Sequence, residues 1–84
     1  MQADKITVND ICGIGKGGNI TVTLPSYKAC IAAKNLVAYV QRVYAHEITG
    51  YSYYTRIRGN VIVIGLAETE KVKDRRRYKE LVIK

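Results

Sequence analysis

Polar and apolar residues alternate along Lys5-Ile6-Thr7-Val8-Asn9 and, more regularly, along Asn19-Ile20-Thr21-Val22-Thr23-Leu24. A period of two marks a strand with one buried face. The intervening Cys12-Gly13-Ile14-Gly15-Lys16-Gly17-Gly18 is rich in glycine, which tolerates the positive φ angles of a chain reversal. These segments predict a β-hairpin with a long, mobile loop. Pro25 ends the second strand and Ser26 is a good N-cap. From Tyr27 to about Glu47 the period becomes helical. Ala29, Ala33, Leu36, Val40, Val43 and Tyr44 fall on one stripe, with Lys28, Asn35, Arg42 and His46 opposite. Gly50 closes this segment.

Tyr51 to Leu66 reads as a second hairpin, with Gly59-Asn60 as its two-residue turn. That turn fixes a register: Arg58 opposite Val61, Ile57 opposite Ile62, Arg56 opposite Val63, Thr55 opposite Ile64, Tyr54 opposite Gly65 and Tyr53 opposite Leu66. Opposed residues of an antiparallel pair share a face. One face therefore collects Tyr53, Ile57, Ile62, Ile64 and Leu66, and the other Tyr54, Arg56, Arg58, Val61 and Val63. From Glu68 to Lys84 acidic residues precede basic ones, the order a helix dipole favours, so a basic helix is expected there. A basic turn followed by a short edge strand over 80–84 is the alternative.

The predicted fold class is α+β within one domain spanning 1–84. Two hairpins (ββαββ) form a four-stranded antiparallel sheet, one long helix packs on one face, and a basic tail over 68–84 follows. Ile6, Val8, Ile20, Val22, Leu24, Ile57, Ile62, Ile64 and Leu66 would face the helix. Lys5, Thr7, Asn9, Thr21, Thr23, Tyr54, Arg56 and Arg58 would form the open face.

Charge sharpens this picture. The formal charge is +7 over 84 residues. Residues 1–41 carry four basic groups against two acidic ones, and residues 42–84 carry ten against five. A field of that sign attracts polyanions. All the aromatic surface comes from seven Tyr, whose rings can pack while their hydroxyls stay wet. Cys12 and Cys30 form neither a C-x-x-C pair nor a Cys/His cluster, so neither a zinc site nor any other cofactor is expected. Residues 1–5 show no secretory signal, which predicts two buried free thiols and a cytoplasmic location. No apolar stretch approaches the roughly 20 residues of a membrane-spanning helix, so no membrane partner is expected.

The short motifs argue for binding rather than catalysis. Ile14-Gly15-Lys16-Gly17-Gly18 resembles the G-x-x-G loop of nucleic-acid-binding KH domains, although strands rather than helices are expected to flank it. Lys16 and free backbone amides of such a loop can still touch phosphate. It is not a P-loop, because no Ser or Thr follows the Lys. His46 suits a helix C-terminus, and the seven carboxylates are scattered without acid/base pairing, so an enzyme is not expected. The run from Tyr53-Tyr54-Thr55-Arg56-Ile57-Arg58-Gly59-Asn60 to Arg77-Tyr78 resembles the C-terminal half of RelE-type ribosome-dependent ribonucleases over less than half the chain. Those proteins begin with a strand and two helices. The resemblance implies an RNA-cleaving toxin as one alternative function.

The leading expectation is a small, non-enzymatic accessory protein of microbes, their viruses or plasmids that binds DNA or RNA. Lys16, Tyr54, Arg56, Arg58, Lys71, Lys73, Arg75, Arg76, Arg77 and Lys79 are its candidate nucleic-acid-binding residues. A protein adaptor or inhibitor docking on an acidic partner is the other alternative. Exposed sheet edges in a short chain also make homodimerisation an expectation.

Overall fold

A computed structural model of the chain describes residues 3–44 and 49–72. The elements run α1 (Val8–Cys12), β1 (Asn19–Thr23), α2 (Tyr27–Val43), β2 (Tyr51–Arg58) and β3 (Val61–Glu68). Among the described residues the sheet has three strands in the order β1-β3-β2, not the four expected from two hairpins. β1 and β2 run parallel on either side of β3, each antiparallel to it, with α2 in the crossover between them.

The missing strand is a helix. Thr7 is the N-cap of α1: its hydroxyl accepts from the Asp10 amide at 3.3 Å, and the Asp10 carboxylate accepts from the Thr7 amide at 2.9 Å. This reciprocal box satisfies two amides that a helix start leaves without partners. Ile6 and Ile11 occupy the staple positions before the cap and at the fourth helical residue, and both are buried. The alternation of Ile6 and Val8 therefore reflects a helix entry, and Lys5, Thr7 and Asn9 do not lie on the sheet.

The loop after α1 does not turn β1 back on a preceding strand. It runs along β3, where the Gly17 amide donates to the Leu66 carbonyl at 2.8 Å and the Leu66 amide to the Gly18 carbonyl at 3.1 Å. β1 continues this pairing, with Ile20 opposite Ile64 and Val22 opposite Ile62. At its far end the Leu24 amide donates to the Asn60 carbonyl, and the Asn60 side chain returns a bond to the Leu24 carbonyl at 3.0 Å. Asn60 thus serves the hairpin turn and also anchors β1.

The second hairpin has the register its turn dictates, from Arg58 opposite Val61 to Tyr53 opposite Leu66. Gly59 adopts φ 63°, a conformation costly for a residue with a Cβ. In the central strand β3, Ile62 and Ile64 are 0% exposed, as are Val22 of β1 and Val40 of α2.

Ser26 caps α2 by accepting from the Ala29 amide. The helix buries Cys30, Ala33, Val37 and Val40, a stripe rotated from the expected one: Ala29, Leu36 and Tyr44 pack at the margin and Val43 is exposed. The rotation follows from α1 and β2 both packing against the helix. Gln41 accepts from the Tyr53 amide at 2.7 Å, and the buried Tyr53 hydroxyl donates to the Ile11 carbonyl, so one residue joins β2 to both helices. Burial raises the Tyr53 phenol pKa, with a smaller push from nearby Cys12. Cys30 is a buried free thiol whose pKa burial also raises, whereas Cys12 is free and exposed rather than buried as expected.

Residues 69–72 form a helical turn, with Val72 buried. The expected helix or edge strand of the remaining tail and the capping role of His46 fall outside the described residues.

Candidate nucleic-acid interface

Alternation along the strands sorts the sheet into two surfaces. Ile20, Val22, Ile62, Ile64, Leu66, Tyr53 and Ile57 pack toward the helices. The opposite surface carries Asn19, Thr21 and Thr23 from β1, Val61, Val63, Gly65 and Ala67 from β3, and Ser52, Tyr54, Arg56 and Arg58 from β2. None of these residues is acidic. Five carry a hydroxyl or amide group and two are arginines.

Tyr54, Arg56 and Arg58 occupy alternate positions of one edge strand, so their side chains form a row with steps of about 7 Å. Both arginines are exposed and Tyr54 is half-buried. The Tyr54 ring lies across Gly65, its direct cross-strand partner, in space that any side chain at position 65 would occupy. Glycine in the central strand therefore lets an aromatic ring rest on the sheet. Such a ring offers a stacking surface, and a guanidinium offers a planar fork suited to phosphate.

Lys16 and Lys71 lie at the margin of this surface, where Tyr51 and Glu68 of the other strand face also reach solvent. Gly15 to Gly18 form a β-turn closed by the Gly18 amide on the Gly15 carbonyl at 2.9 Å, with Gly17 at φ 81°. The Gly17 and Gly18 amides are both used inside the chain, which corrects the expectation of a mobile loop with free amides for phosphate. What the turn presents instead is the Lys16 side chain, whose ammonium sits 5.0 Å from the centre of the Tyr51 ring. Lys71 stands on the helical turn that follows β3, and both lysines line one cleft with Tyr51 and Tyr54. Its volume is about 280 Å³.

Of the expected binding residues, Tyr54, Arg56 and Arg58 thus share one row, and Lys16 and Lys71 converge at the cleft into which Tyr54 also faces. Lys73, Arg75, Arg76, Arg77 and Lys79 lie outside the described residues. Tyr51 was not among the expected residues. The pairing of Gly17 with Leu66 brings Lys16 to it, and that long-range contact leaves no local trace in the sequence.

Among the described residues no group of three or more His, Cys, Asp or Glu could hold a metal ion, and no helix is long and apolar enough to cross a membrane. Comparison with family models, with curated proteins and with solved structures found no match to this chain.

Proposed function

We propose that this protein binds nucleic acid through the open face of its sheet, without catalysing a reaction. The observation that carries the reading is the row of Tyr54, Arg56 and Arg58 on a face to which the described strand residues bring no carboxylate. Arginines there neutralise phosphates, the Tyr54 ring stacks on a base, and the Asn19 amide and Thr23 hydroxyl hydrogen-bond sugar or phosphate. The net charge of +7 supplies the long-range attraction that brings a polyanion to this surface.

The test compares the nuclease-treated protein with an Arg56→Ala/Arg58→Ala variant against labelled oligonucleotides across a salt series. Phosphate binding makes log K fall linearly with log salt, with a slope of about −0.7 to −0.9 per neutralised phosphate. The variant is expected to bind several-fold more weakly and with a slope shallower by about one to two. An unchanged slope would remove the arginines from the interface. Absence of nucleic-acid affinity in the parent protein would reject the function itself.

A further inference from the structure

The cleft beside the Gly15–Gly18 turn contains groups that a plain phosphate-binding surface does not need. Its walls come from four separate places: the turn, the start of β2, the end of β3 and the helical turn after it. Two tyrosine rings, Tyr51 and Tyr54, give it apolar surface, and Ala67 leaves room between the strands and the solvent. Lys16 and Lys71 bring ammonium groups from different elements, and Glu68 contributes a single carboxylate. At about 280 Å³ the cleft lies just below the size range of pockets for drug-sized ligands, so it suits a single small ring system.

We infer that this cleft holds one unpaired nucleotide of a single-stranded nucleic acid. The base stacks on tyrosine, Lys16 and Lys71 hold its phosphate, and Glu68 accepts a hydrogen bond from a base amino or sugar hydroxyl group. Lys16 is already poised for this role, because its contact with Tyr51 keeps the ammonium at the ring. Tyr54 joins the cleft to the Arg56–Arg58 row, so a strand lying on the open face can lead a nucleotide into it. A base in a duplex reaches such a site only after unpairing and unstacking, at a cost of a few kcal/mol. The consequence is a preference for single strands. This inference rests on the proposed function, since it assigns a ligand class to the same surface.

The experiment measures binding of the full chain to a single-stranded RNA, a single-stranded DNA of the same sequence and the corresponding DNA duplex at one salt concentration. At least one single strand is expected to bind about fivefold or more tightly than the duplex, in line with the stacking of one base. The tighter of the two identifies the source of the nucleotide. Tyr54→Leu, which still covers Gly65 with an apolar side chain, is expected to abolish this preference. A titration of the parent protein with adenosine monophosphate, followed by amide NMR shifts, checks the site without any variant. Shifts should gather at Gly17, Tyr51, Ala67 and Lys71. Equal affinity for single strands and duplex, or shifts only at Arg56 and Arg58, would overturn the cleft assignment while leaving the proposed function intact. Failure to bind any of the three nucleic acids would instead reject both.

Discussion

The two surfaces of the sheet are built from the same three strands, and residues one position apart serve opposite ends. Ile62 and Ile64 vanish into the core, while their neighbours Val61 and Val63 lie half-exposed beside Arg56 and Arg58. The helix-facing surface is crowded and leaves Val22, Ile62, Ile64 and Leu66 almost no contact with water. The open surface carries charged and polar side chains, with Arg56 and Arg58 exposed. The difference teaches that stability and the proposed binding can be altered almost independently, because a period of two assigns each residue to one surface or the other.

The strongest way to test that separation is to open a cavity on the packed side. Ile64→Ala is expected to cost about 2–5 kcal/mol, read from chemical denaturation. Arg56→Ala/Arg58→Ala should stay within about 1 kcal/mol, as surface substitutions do. Equal losses in the two variants would show that the arginines do structural work and would collapse the contrast.

A smaller effect is expected where both surfaces depend on one turn. Gly59 has positive φ with open space around it, so Gly59→Val strains the backbone without a steric clash. Such strain costs about 1–3 kcal/mol. The melting temperature should fall, while a spectrum showing the same cross-strand contacts would confirm that the register survives. An unaltered melting temperature would mean that the turn does not require the conformation seen at Gly59.

The smallest expected effect lies away from the sheet. Hydrogen bonds from the Thr7 amide and hydroxyl hold the exposed Asp10 carboxyl below its ordinary pKa. A folded-state pKa that is depressed adds stability above the unfolded value, and this is lost as pH falls through the lowered one. The contribution of the Asp10 carboxylate to the cap should therefore be lost only in acid. Carboxyl titration by NMR checks this, with Thr7→Ala expected to return Asp10 to the ordinary range. Identical titration in both proteins would show that the box does not form in solution.

Features governed by near neighbours were readable in the amino-acid order. Gly59-Asn60 fixed the pairing of β2 and β3 residue by residue, and from it the shared row of Tyr54, Arg56 and Arg58. The Ser26 cap and the helical period after Tyr27 were equally local. The partner of β1 was not readable, because alternation at Asn19–Leu24 says that one face is buried without saying which strand lies alongside. The first segment was ambiguous for another reason: Ile6 and Val8 fit a strand, while Thr7 and Asp10 carry a capping box with Asp in place of the more usual Glu or Gln. The cleft depended on contacts between residues 17 and 66, far apart in the chain, and so Tyr51 escaped notice.

One modest bond has a wider consequence. The Tyr53 amide points away from β3, toward the side where another strand could add, and Gln41 reaches across from the helix to occupy it. On the opposite margin the Ala3 amide takes the Thr23 carbonyl in the same manner. Each outer strand therefore meets a chemical stopper at one of its outward-facing groups, and a neighbouring molecule that tried to extend the ladder there would have to displace it. Sheets with such guarded margins are poor templates for stacking into fibres. A side-chain amide on a helix thus acts as a safeguard against aggregation, a task that shows only when the glutamine is removed.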